Sequence, residues 1–160
     1  MDILFLAITG IILSIFFSSS EIALISANRL QINVWEKQNL RLSKTANSII
    51  NNKEFYLFCI LVGNNIANML TASFLTIYLV NKDVLPEHTI FIIISLIILL
   101  FAEIIPKSII RQFSNATLLI ISPILYVFGI ILYPIYSIFG IFIKKNSGNS
   151  IFKSQGHDYI

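Results

Sequence analysis

Long apolar blocks constrain this chain more than any other feature. Ile3–Ile25 and Phe55–Val80 are each long enough to span a bilayer as a helix, at about 1.5 Å per residue across roughly 30 Å of hydrocarbon. Thr89–Ile105 is shorter and ends at Pro106. Thr117–Ile143 is interrupted by Pro123, Gly129, Pro134 and Gly140. Composition agrees: 56% of the 160 residues are hydrophobic and 12% charged, against about 25% charged in soluble domains. An integral membrane protein is expected. The first block lacks a basic leader and a small-x-small cleavage site, so it reads as a span and not as a cleaved signal. The single Cys59 lies in an apolar run and fits no zinc or disulfide pattern. It reads as a small buried hydrophobe.

Charge placement gives the topology. Ser26–Lys53 holds Arg29, Lys37, Arg41, Lys44 and Lys53 against the acid Glu36. The positive-inside rule makes this segment cytoplasmic and leaves Asp2 and the N-terminus outside. The link Asn81–His88 pairs Lys82 with Asp83 and Glu87 and fits the outside. Lys107 and Arg111 then belong inside. If the fourth block spanned, Lys144, Lys145 and Lys153 would lie outside, against the rule. It reads as an in-plane or re-entrant helical segment on the cytoplasmic side, with a fourth span as the alternative. The expected fold is an all-α membrane protein. It has three transmembrane helices, about 3–25, 55–80 and 89–110, and juxtamembrane amphipathic helices over 28–51 and 117–143. Residues 146–160 read as a cytoplasmic linker or tail. Within 28–51, Leu30 and Val34 share one helix face beside Trp35. Leu42, Ala46 and Ile49 share another, with Asn39 as the break. The basic residues and Trp35 suit membrane lipid.

Polar groups inside the spans carry the functional signal. Glu21 and Glu103 are carboxylates in otherwise apolar helices, and such a charge costs roughly 2.5–3.5 kcal/mol at the bilayer centre. Each is expected to face a protein interior, where a cation, a proton or a basic partner compensates it. Ser14, Ser18 and Glu21 fall at i, i+4 and i+7, one helical face of oxygen ligands suited to a hard cation. The serines alternatively permit close helix packing and bond back to their own carbonyls. Asn64, Asn68 and Thr71 repeat the spacing after Gly63, with Asn65 beside them. They read either as neutral cation ligands or as interhelical hydrogen-bond glue. Gly63 reads as a point of local unwinding or of close helix approach. Pro106 frees the carbonyl of Ala102, next to Glu103. Lys107 lies at i+4 from Glu103, so an ion pair between them is the structural alternative to an ion site. The chain has no nucleophile–base pair, phosphate-cradling loop or metalloprotease motif. Neither an enzyme nor a nucleic-acid binder is indicated.

The runs Phe16–Glu21, Leu61–Asn65 and Glu103–Lys107, in this order and spacing, resemble the transmembrane domain of the cyclin-M/CorC family of magnesium transporters. The resemblance covers about residues 1–145. It implies a homodimer in the cell membrane that transports Mg²⁺, with Co²⁺ as a second cargo and Na⁺-coupled export as the mechanism. By motif match it implies that Ser18, Glu21, Gly63, Asn64, Asn65, Asn68 and Glu103 hold the ion, with Pro106 and Lys107 as a structural kink and ion pair. Family members usually carry Gly where this chain has Ala102. They usually continue into a cytoplasmic CBS-domain pair, which is absent from this chain. The rival expectation is a membrane Mg²⁺ sensor or scaffold that modulates another transporter. A third is a membrane-surface adaptor acting through the basic helices.

Overall fold

The computed structural model describes residues 3–82 and 86–146, with side-chain surroundings through residue 137. The expectations for Asp2, Asp83, the Lys144–Lys145 pair and most of the 146–160 tail lie outside these limits. The described residues form helices and no strand. They are α1 (Ile3–Ser26), α2 (Arg29–Lys37), α3 (Ser43–Asn51), α4 (Lys53–Val80), α5 (Glu87–Ile97), α6 (Ile105–Ile110) and α7 (Ser114–Asn146). A π-helical segment, Ile98–Ile104, joins α5 to α6, and a 3₁₀ turn, Arg111–Phe113, joins α6 to α7. Three helical runs are long and apolar enough to cross a membrane: Ile3–Ser26, Lys53–Val80, and the run Glu87–Ser137 that contains α5 to α7. Many large apolar side chains on them, such as Phe5, Ile12, Met69, Phe91 and Phe113, face outward. Outward apolar groups on all sides of a helix belong against lipid, so the protein is membrane-embedded.

Small residues set the tightest packing. α1 and α4 run antiparallel in close contact. A Cβ added at Gly10 would lie 2.5 Å from Thr71 Oγ1 and 3.0 Å from its backbone nitrogen. A Cβ at Gly63 would lie 2.5 Å from the Phe17 ring. Gly63 is therefore a site of close approach. The alternative of local unwinding does not hold, because α4 continues as one helix through it.

The basic segment between α1 and α4 forms a helical hairpin. The Asn28 side chain caps α2 by accepting from the backbone N–H groups of Leu30 and Gln31, at 2.9 and 3.3 Å. Asn39 and Leu42 adopt positive φ, 54° and 69°, and turn the chain from α2 to α3. The Asn47 side-chain amide donates to Glu36 across the hairpin. In α3, Ala46 and Ile49 are fully buried. In α2 the buried residue is Ile32, whereas Leu30 and Val34 are exposed. The expected Leu30/Val34 stripe thus points away from the protein, because Ile32 is the side chain that meets the core of Leu24, Ile49 and Leu118.

Helix α7 is continuous through both of its prolines. Pro123 cannot donate to the Leu119 carbonyl. Ser122 Oγ donates to that carbonyl instead, at 2.9 Å, which keeps it satisfied without water. The helix begins against the end of α1: Ser114 Oγ donates to the Ser26 carbonyl at 3.2 Å and Asn28 N–H to Asn115 Oδ1 at 2.7 Å. Further along, Phe128 packs on Phe17 with ring centroids 4.9 Å apart. Tyr133 and Tyr136 pack on Phe55, at 6.1 and 4.9 Å. Tyr136 also packs on Phe58, at 5.4 Å, and a Cβ added at Gly129 would lie 2.8 Å from the Tyr56 ring. This part of α7 thus lies against the first turns of α4.

Candidate functional site

Three membrane-crossing runs meet at a short polar chain. Ser14 Oγ on α1 donates to Asn68 Oδ1 on α4 at 2.5 Å and approaches Asn64 Oδ1 at 3.4 Å. Asn68 Nδ2 donates to Glu103 Oε1 on the π-helical segment at 2.9 Å. The orientation of the Asn68 amide follows from chemistry. The NH₂ faces the Glu103 carboxyl oxygen, an acceptor, and the amide oxygen is left for the serine hydroxyl. Ser14 is fully buried, and Asn68 and Glu103 are partly so. Ser14 on α1 thus faces Asn64 and Asn68 on α4.

Ser18 is the unusual member. Other hydroxyls in the spans bond back to the carbonyl four residues earlier, as Thr9, Ser20, Thr71, Ser95 and Ser108 all do. Ser18 Oγ is fully buried with no hydrogen-bond partner among the described residues. A buried hydroxyl without a partner costs about 1–3 kcal/mol. It lies one turn along α1 from Ser14, on the face that carries the polar chain. An oxygen left unsatisfied there has the right chemistry to be completed by a bound cation or a water.

Glu103 owes its position to irregular helix. Residues Ile98–Ile104 widen to i→i+5 pairing, seen where Ile105 N–H reaches the Leu100 carbonyl. Single π turns of this kind accommodate an irregularity within a continuous helix and concentrate at functional sites. Here the irregularity is Pro106, which follows directly and removes one N–H from the ladder. Ala102 is fully buried beside Glu103. The π turn could not be read from the residues, because proline in a span signals a kink without specifying how the ladder adjusts.

The other expected residues separate into those the fold gathers and those it does not. Glu21 lies two turns from Ser14 and forms an ion pair with Lys107 at 2.8 Å, with both side chains about one-third exposed. The expected partner of Lys107 was Glu103. The wide turn ending at Ile104 changes the angular offset between Glu103 and Lys107, and Lys107 reaches across to α1 instead. Asn64 is buried at the edge of the polar chain. Asn65, about 100° further round α4, is exposed and stands apart from the cluster within this chain. Thr71 is buried against Gly10 and spends its hydroxyl on its own helix. Gly10 went unnoticed in the sequence, since a lone glycine in an apolar run carries no pattern. Among the described residues no three His, Cys, Asp or Glu side chains cluster as metal ligands. Any ion held here would be held mainly by hydroxyl, amide and carbonyl oxygens with few carboxylates.

The Glu21–Lys107 pair gives a direct energetic test. Lys107→Met leaves Glu21 unpaired at the end of a span and should lower thermal stability in detergent. Adding Glu21→Gln to that variant should recover most of the loss, because removing both charges avoids the unpaired one. If the double variant melts as low as Lys107→Met alone, the pair has no energetic coupling.

Comparison with known proteins adds two findings. The model of the cyclin M transmembrane N-terminal domain matches residues 5–158. The inner membrane protein YfjD of Escherichia coli K12, of the UPF0053 group, is 28% identical over 100 residues, which is 61% of this chain and 23% of that relative. The match thus spans about a quarter of the relative's length.

Proposed function

Since the chain belongs to the family of cyclin M transmembrane N-terminal domains, we propose that it moves Mg²⁺ across the membrane through the polar layer between α1, α4 and the π-helical segment. Membrane metal-ion transport or a closely related role follows from the family itself. The identity of the ion, its coupling to Na⁺, Co²⁺ as a second cargo, and a homodimeric assembly are our reading. The observation that carries the reading is the chain Ser14–Asn68–Glu103, which joins three membrane runs at one level, with the unsatisfied Ser18 hydroxyl one turn away. Mg²⁺ gives up its water reluctantly and needs a carboxylate when it does. Glu103 is the carboxylate at that level, and Ser14, Ser18, Asn64 and Asn68 supply neutral oxygens. Glu21, held by Lys107, lies toward the α2–α3 side and would line the ion's path to that face. Alternating access would exchange that path for one toward the α4–α5 link.

Orientation belongs to the same proposal. α1 and the third run are parallel, which puts the basic α2–α3 hairpin, Lys107 and Arg111 on one face of the membrane. By the positive-inside rule that face is cytoplasmic and the N-terminus is outside.

A second reading has its own support. The Asn68 amide is engaged on both sides, by Ser14 and by Glu103, as structural glue is. A membrane sensor or scaffold with a static site would look the same. Flux separates the two. Purified protein in liposomes loaded with a Mg²⁺-sensitive dye should show Mg²⁺ movement that accelerates with an opposing Na⁺ gradient. Mg²⁺ binding without movement would favour the sensor and defeat the transporter.

A further inference from the structure

The end of α3, the beginning of α4 and helix α7 line an open cleft of about 600 Å³ that lies away from the polar layer. Its volume falls within the range of small-molecule sites, about 300–1,000 Å³. Lys53, Glu54, Asn51 and Asn52 line one side, and Tyr126, Tyr133 and Tyr136 of α7 line the other. We propose that this cleft binds the headgroup of a zwitterionic aminophospholipid, with phosphatidylethanolamine as the ligand.

Depth supports a lipid. α4 has 28 residues, about 42 Å at about 1.5 Å each, against roughly 30 Å of hydrocarbon. Its first turn, Lys53–Tyr56, therefore extends into the headgroup layer. Tyrosine favours that layer, where its ring stays apolar and its hydroxyl meets water. Tyr126 and Tyr133 are 45% and 64% exposed, so their rings are available to a ligand.

Charge selects the headgroup. The Lys53 ammonium makes one long bond to the Ile25 carbonyl, at 3.4 Å, and keeps donors for a phosphate. Arg29 adds a second positive charge nearby, since its guanidinium donates to Asn51 Oδ1 at 2.8 Å. Glu54 has no ion-pair partner among the described residues and lines the same cleft. A carboxylate there disfavours a purely anionic lipid and suits a primary ammonium. Tyr133 and Tyr136, grouped around Phe55, bring aromatic rings to the same cleft, where a cation can meet them. A headgroup with a phosphate and an ammonium a few bonds apart meets both the Lys53 ammonium and the Glu54 carboxylate, and a free anion or a phosphatidylglycerol meets only the first.

The test is retention of lipid by the whole chain. Detergent-purified, delipidated protein is offered equal amounts of phosphatidylethanolamine and phosphatidylglycerol with identical acyl chains, and bound lipid is counted by native mass spectrometry. Phosphatidylethanolamine should be retained about tenfold over phosphatidylglycerol, the ratio expected of one charge-assisted contact. Glu54→Gln and Tyr133→Leu each change an exposed side chain, and each should bring that ratio to within about twofold of unity. Circular dichroism checks that both variants keep their helix content. Equal retention of the two lipids by the wild type, retention of neither, or a preference that persists in either variant overturns the proposal.

Discussion

Replacing Glu103 by glutamine should abolish Mg²⁺ binding while leaving the helices assembled. The substitution removes the charge at the polar layer but keeps an oxygen where Asn68 Nδ2 now donates, at 2.9 Å. The hydrogen-bond chain from Ser14 through Asn68 therefore survives, and with it the contact between α1, α4 and the π-helical segment. What is lost is the charge that offsets dehydration of a small divalent cation. A ligand that binds only the folded state adds about 2.7 kcal/mol of stability at a hundredfold excess over its Kd. Wild-type protein titrated with Mg²⁺ in detergent should show an upward shift of its melting temperature. Glu103→Gln should melt near the Mg²⁺-free wild type at every concentration. The same variant in liposomes should be without flux. Mg²⁺ stabilisation that persists in Glu103→Gln would remove Glu103 from the site and leave Asn68 as a structural tie.

Gly10→Val should have the largest effect on the fold. The first added carbon would lie 2.5 Å from Thr71 Oγ1, 3.0 Å from Thr71 N and 3.1 Å from its Cα. Backbone atoms of a helix cannot move aside as a flexible side chain can, so α1 and α4 must separate. Overpacking of this kind costs about 1–3 kcal/mol, and little of it can be relieved by lipid. Ser14 is one turn further along α1, so the separation would also stretch its bond to Asn68. The variant should melt well below wild type and lose the Mg²⁺-dependent shift as well. Gly63→Ala is the milder comparison. Its added carbon meets the Phe17 ring, whose tilt can adjust within its contacts with Phe16 and Phe128. If Gly10→Val melts like wild type, the two helices do not pack this closely.

Apolar blocks and charge placement were enough to read three spans and a basic hairpin, because a bilayer imposes length and polarity on a helix directly. The same economy singled out Glu21 and Glu103, because a carboxylate in lipid is costly; the fold gives each a protein partner, Lys107 and Asn68. Spacing alone also put Ser14 and Ser18 on one face and Asn64 and Asn68 on another, since helical periodicity fixes angle within a single helix. Pairing across helices was beyond that logic. Lys107 has two carboxylates within reach of a sequence argument, and its choice of Glu21 depends on how the chain is rotated after Ile104. Leu30 and Val34 form an apolar stripe in sequence, yet Ile32 is the residue buried, because the position of α2 against Leu24 and Leu118 decides which face meets the core. Periodicity is a property of one helix at a time and was legible in the residues. Rotation, register and the partner each polar atom finds depend on the mutual fit of several helices, and only the tertiary structure decides them.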